Sequence, residues 1–143
     1  MKEPTFLRLI ENTILENQRI PIIVEGLHDV SSLREIGFTG DIIKLNNGLS
    51  LHAFCQSVVN RSNEVIMLAD FDRKGVELQG KISSLLSTMG CSVNSTLWDY
   101  IRKNYNIKSV EDLPYLHRKS LGLEDKSSEL KFIRRLKRKQ DKI

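Results

Sequence analysis

Apolar residues along this chain alternate between two rhythms. Short β-branched runs at residues 20–24, 42–45 and 65–69 read as buried strands. Between them, apolar positions recur every three or four residues, as on a helix with one face inward. Leu7, Ile10 and Ile14 predict a first helix over residues 5–17, with Pro4 and Thr5 as start signals. Val30, Leu33 and Ile36 predict a short helix that stops at Gly37. Ser50 is a candidate cap for a helix bearing Leu51, Phe54, Cys55 and Val58. Leu78, Ile82, Leu85, Leu86 and Met89 mark a longer one that ends at Gly90, and Cys91-Ser92-Val93 opens a fourth strand.

Strands alternating with helices call for a parallel sheet joined by right-handed crossovers. The expected architecture is therefore an α/β fold: a four-stranded, mainly parallel sheet flanked by helices. From Trp98 onward the rhythm turns helical, with helices expected at 98–104, 110–121 and from Ser127 or Ser128 to residue 139. The chain divides on this reading into an N-terminal helix (1–18), an α/β core (19–97) and a C-terminal helical, basic extension (98–143), an appendage to that core.

Composition narrows the picture. At 143 residues, 40% hydrophobic and 28% charged, the chain can bury a real core as one domain. No apolar run approaches the roughly 18 residues of a membrane span, and the first residues lack the apolar stretch of a signal peptide. Cys55 and Cys91 have neither metal-site nor disulfide-framework spacing. A reduced, cytoplasmic protein is expected, with no membrane partner.

Charge is unevenly placed. Residues 130–143 hold seven Lys or Arg and one Asp, whereas residues 1–129 hold 15 basic and 17 acidic side chains. A near-neutral body with a cationic end suits a polyanion, nucleic acid ahead of membrane. Arg134, Arg135, Lys137, Arg138 and Lys139 are the candidate contacts. They would supply salt-sensitive affinity to phosphates rather than base recognition.

Two acidic loops carry the candidate chemistry. Val24-Glu25-Gly26-Leu27-His28-Asp29 follows the first strand, and Ala69-Asp70-Phe71-Asp72-Arg73-Lys74-Gly75 follows the third. Ligands of open α/β sheets bind at the carboxyl ends of strands. If the two strands are neighbours, Glu25, Asp70 and Asp72 converge there, and hard oxygens suit Mg²⁺ and phosphate chemistry. Residues i and i+2 of an extended chain point the same way, so Asp70 and Asp72 can reach one metal. Asp29 and Asp72 also stand where a helix cap would. Asn47 and Gly48 end the second strand on the same edge, where Gly48 either admits a phosphate or makes a turn.

Glu25-Gly26 with Asp29, then Asp70-x-Asp72, with Gly48 after the middle strand, resembles the Toprim domain. That domain occurs in type IA topoisomerases, bacterial-type primases, 5S-rRNA-maturing ribonucleases and overcoming-lysogenization-defect nucleases. The resemblance covers residues 19–97, and the loop Asp70-Phe71-Asp72-Arg73-Lys74-Gly75 is closest to small stand-alone archaeal members. It implies a Rossmann-like sheet, with Glu25 as general acid or base that also touches metal. It implies Asp70 and Asp72 as Mg²⁺ ligands (Mn²⁺ a substitute), Asp29 as a secondary acid, and Arg73 and Lys74 beside the phosphate with Gly26. The topoisomerase pattern has an acid where this chain has Val76, and no separate domain offers a nucleophilic tyrosine. The primase zinc module is absent as well.

The resemblance thus implies a Mg²⁺-dependent nuclease, with structured RNA ahead of DNA, acting alone or in a larger nucleic-acid-processing assembly. A non-catalytic nucleic-acid- or nucleotide-binding module and primase-like nucleotidyl transfer are the alternatives. Haloacid-dehalogenase-type phosphatases and response-regulator receivers also place an Asp after a strand, but their remaining acids and lysine have no counterpart here. His28, His52 and His117 are scattered without metal-ligand spacing.

Overall fold

Four strands form one sheet in the order β2-β1-β3-β4, every neighbouring pair parallel. The computed structural model describes residues 2–45, 47–123 and 126–141, with side chains throughout these ranges except at 126–128 and 139–141. The strands are β1 (Ile22–Val24), β2 (Ile42–Lys44), β3 (Glu64–Met67) and β4 (Ser92–Asn94). Register sets Ile22 against Ile42 on one side and against Ile66 on the other. The ladder of β1 begins after Pro21, which has no N–H to give, although its carbonyl accepts the N–H of Ile66.

Side chains alternate across the pleat and create two cores. Ile22, Val24, Ile66 and Leu68 face one way, toward helices α1 (Lys2–Asn17), α2 (Leu27–Ile36), α5 (Thr96–Asn104) and α6 (Leu113–Ser120). Ile23, Val65, Met67 and Ala69 face the other, toward α3 (Leu51–Arg61) and α4 (Arg73–Thr88). Each of these buried side chains except Ala69 contributes roughly 1.5–3 kcal/mol relative to exposure. The first helix begins at Lys2, ahead of the expected start, and carries Pro4 in its first turn, where a missing N–H costs nothing.

The segment read as an appendage is built into the larger core. Trp98, Ile101, Ile107, Val110, Leu113 and Leu116 pack with Phe6 and Ile10 of α1 and with the sheet. Tyr115 of α6 is buried as well. A last helix, α7 (Lys126–Asp141), lies against α6. Its Phe132 stacks on Tyr115 at 4.4 Å between ring centroids, and Arg135 Nε donates to Asp112 Oδ1. Among the described residues no helix is long and apolar enough to cross a membrane.

The strand order has a functional consequence. From β1 the chain crosses through α2 to β2 on one side, and β3 lies on the other side of β1. Crossovers of one hand then place α2 and α3 on opposite faces, and the loops after β1 and β3 diverge. A crevice opens between them at the carboxyl edge, the usual ligand position in such sheets.

Candidate carboxylate site at the sheet edge

Glu25 and Asp70 meet in that crevice. Glu25 Oε2 accepts the backbone N–H of Asp70 at 2.8 Å, across the gap between the β1 and β3 loops. Asp70 is 8% exposed, and its Oδ1 accepts the N–H of Val110 at 2.9 Å. Asp72 is the N-cap of α4, its Oδ1 accepting the N–H of Gly75 at 2.8 Å. The chain bends at Phe71 and Asp72, so the strand alternation expected to align Asp70 with Asp72 stops before it reaches them. Each carboxylate is thereby oriented by a different backbone N–H.

Asp29 sits at the third position of α2, and its Oδ2 accepts the N–H of Gly26 at 3.1 Å. This carboxyl is pushed up from 3.8 to about 7, first by burial and then by the negative charge of Asp70, with Glu111 and Glu25 adding to it. Gly26 has extended backbone, and a Cβ there would meet nothing nearer than Asp29 Oδ2 at 4.0 Å. Neither conformation nor packing demands glycine, so the space over the Glu25 loop is open to a ligand approaching the backbone.

The remaining expected residues distribute around this edge. Lys74 and Asn47, both exposed, line a cavity of about 230 Å³ together with Glu25. Gly48 is exposed in the same loop. Arg73 is solvated and lies 3.9 Å from Glu77 one turn along α4. His28 lines a larger cleft of about 550 Å³ between α2, α6 and α7, with Ser31, Arg118, Lys131 and Arg138. In the tail, Arg134, Lys137 and Arg138 are exposed, whereas Arg135 is committed to the fully buried Asp112. The side chain of Lys139 lies outside the described residues.

Three residues that pattern reading passed over, Gln79, Trp98 and Val110, hold the acidic loop in place, together with Gly75 of the motif itself. Gln79, on the buried face of α4, accepts the N–H of Ala69 at 3.0 Å and donates to the carbonyl of Met67 at 3.1 Å. Trp98 Nε1 donates to the Ala69 carbonyl at 3.0 Å, and the indole stacks on Phe71. Val110 orients Asp70. Gly75 lets the first turn of α4 touch the loop: a Cβ there would lie 2.1 Å from the Asp70 carbonyl oxygen. A signal for Gln79 was present, since positions 75, 79, 82 and 86 fall on one helical face.

The donor set can be compared with Mg²⁺. Among the described residues no group of three or more His, Cys, Asp or Glu is gathered to hold an ion. An all-protein cage is therefore not formed. Magnesium seldom uses one: it is held through one or two carboxylates, with waters and substrate phosphate completing its shell. Hard oxygens at Glu25 and Asp70, with the buried Asp29 carboxyl near them, fit that mode.

Comparison with known proteins gives relatives along most of the chain. A UPF0292 protein of Thermoplasma volcanium is 46% identical over 99 residues, spanning 69% of this chain and 83% of that one. A UPF0292 protein of Thermococcus kodakarensis is 37% identical over 122 residues, spanning 84% and 89%. Among solved structures, a protein from Aquifex aeolicus aligns with a TM-score of 0.63 at 25% identity, over 72% of this chain and 93% of that one. No family model matches.

Proposed function

The chain belongs to the UPF0292 family, and from that premise we propose that it is a cytoplasmic, Toprim-type, Mg²⁺-dependent nuclease that cuts nucleic-acid phosphodiesters, structured RNA ahead of DNA. The observation that carries this reading is the bond between Glu25 and the Asp70 backbone at the crevice where the β1 and β3 loops diverge. It ties the Glu25 carboxylate to the backbone of the second acidic loop, at the edge where an α/β sheet takes its ligand.

The roles follow from position. Glu25 is half-buried at the mouth of the crevice and moves the proton at the attacking or leaving oxygen. Asp70 and, one bend further on, Asp72 would hold the metal, oriented by the N–H groups of Val110 and Gly75. Bound there, Mg²⁺ would neutralise charge on the non-bridging phosphate oxygens. Lys74 at the cavity and Arg73 on the first turn of α4 attract phosphate. Arg134, Lys137 and Arg138 on α7 offer solvated cations to the backbone further away.

The test is cleavage of end-labelled structured RNA and of single- and double-stranded DNA, with Mg²⁺, Mn²⁺ or EDTA. Glu25→Gln still offers an oxygen to the Asp70 N–H, and Asp70→Asn one to the Val110 N–H, so both variants keep the loop. Metal-dependent cutting is expected, with Glu25→Gln slower by roughly 10²–10⁴-fold and Asp70→Asn inactive, while both still bind. Binding without cutting, equal in all three proteins, would replace the nuclease by a binding module. Consumption of nucleoside triphosphate would point to nucleotidyl transfer instead.

A further inference from the structure

The cavity beside Glu25 differs in kind from the polar cleft behind α2. Its floor is Phe54, 3% exposed, and its sides are Leu45 at the end of β2, Leu51 on α3 and Leu78 on α4. Leu49 stands at its lip, 42% exposed in an otherwise polar loop. Asn47, Lys74 and Glu25 line it as well and give it a polar side. The volume, about 230 Å³, falls below the roughly 300–1,000 Å³ of pockets that enclose a whole drug-sized ligand. It holds one flat ring system.

We infer that this cavity receives a single unpaired nucleobase, belonging to the nucleotide whose phosphate lies at the Glu25–Asp70 crevice. The identity of the ligand rests on the nuclease reading above. A base has apolar faces and a polar edge, and the cavity sets Leu and Phe side chains beside an amide. Asn47 offers both donors and an acceptor to that edge. The Lys74 ammonium is a point charge for the adjoining phosphate. Glu25 belongs to both the cavity and the crevice, so base and phosphate are neighbours on one nucleotide. A base stacked and paired inside a duplex cannot enter. The substrate must then present a loop, bulge or splayed nucleotide, as sequence-selective RNA recognition commonly requires.

The experiment is an NMR titration in Mg²⁺, following the methyl groups of Leu49 and Leu78. The probes are nucleoside 5′-monophosphates and ribose 5-phosphate, which lacks the base. The nucleotides are expected to bind roughly tenfold tighter than the sugar phosphate, the order gained when one ring leaves water for apolar walls. Leu49→Ser should remove most of that difference, and Lys74→Ala should weaken both ligands alike. Equal binding of nucleotide and sugar phosphate, no shift at Leu49, or an undiminished difference in Leu49→Ser would each overturn the inference. A base-dependent difference in a protein that cuts nothing would support the cavity and remove the nuclease reading. Cutting without that difference would do the reverse.

Discussion

Asp29 is a buried carboxyl whose proton is held to about pH 7, against 3.8 in the unfolded chain. Between those values the native state binds more protons than the unfolded one, so stability falls as pH rises through that window and levels off above it. The loss is on the order of a few kcal/mol, because each tenfold change in proton affinity is worth about 1.4 kcal/mol. In EDTA the urea midpoint should therefore be lower at about pH 8 than at about pH 5, and Asp29→Asn should flatten the dependence. A flat profile in the wild type would contradict the burial of this group. The sequence offered Asp29 as the residue before a helix, capping it; the helix instead starts at Leu27, and Asp29, at its third position, accepts the Gly26 N–H. Its raised proton affinity was not legible, because part of it comes from the charges of Asp70 and Glu111, 41 and 82 residues further on.

At the scale of elements, α4 is tied closely to the acidic loop. Its two glycines should respond in opposite ways to the same substitution. Gly75→Ala would drive a Cβ to 2.1 Å from the Asp70 carbonyl oxygen, backbone that cannot yield without moving the acid. Gly80, exposed on the same helix, would meet nothing within 4 Å. Gly80→Ala should raise stability by about 1 kcal/mol, whereas Gly75→Ala should lower the melting temperature and abolish cleavage; thermal denaturation beside the cleavage assay reads both. The strands and their alternation with helices were legible in the β-branched runs, and so was the adjacency of the two acidic loops as a condition. The bend at Phe71 was not, since it comes from tertiary ties: the Phe71 N–H donates to the Lys108 carbonyl, and Val110 takes Asp70. The periodicity of α5 and α6 announced one buried face each. It could not announce that Phe6 and Ile10, from the other end of the chain, complete that core.

Across the whole molecule, the cationic end is attached through the Phe132–Tyr115 stack and the ion pair of Arg135 with Asp112. Asp112 is fully buried and raised by that burial in spite of the guanidinium beside it, so Arg135 serves the fold rather than a partner. Arg135→Ala, which strands that charge, should cost on the order of 3 kcal/mol in denaturant unfolding. Arg134→Ala with Lys137→Ala should leave stability within about 0.5 kcal/mol yet weaken RNA binding and reduce its salt slope by roughly one for each phosphate no longer neutralised. An unchanged slope would remove α7 from the nucleic-acid surface. Sequence alone grouped these arginines as one basic run, because charge along a helix does not reveal which side meets a buried acid. The indole of Trp98 carries a separate consequence. It is the chain's single tryptophan, bonded to the residue before Asp70 and stacked on the residue after it. The tryptophan fluorescence of this molecule therefore originates at the acidic loop, and the protein carries its own optical probe there, without a label.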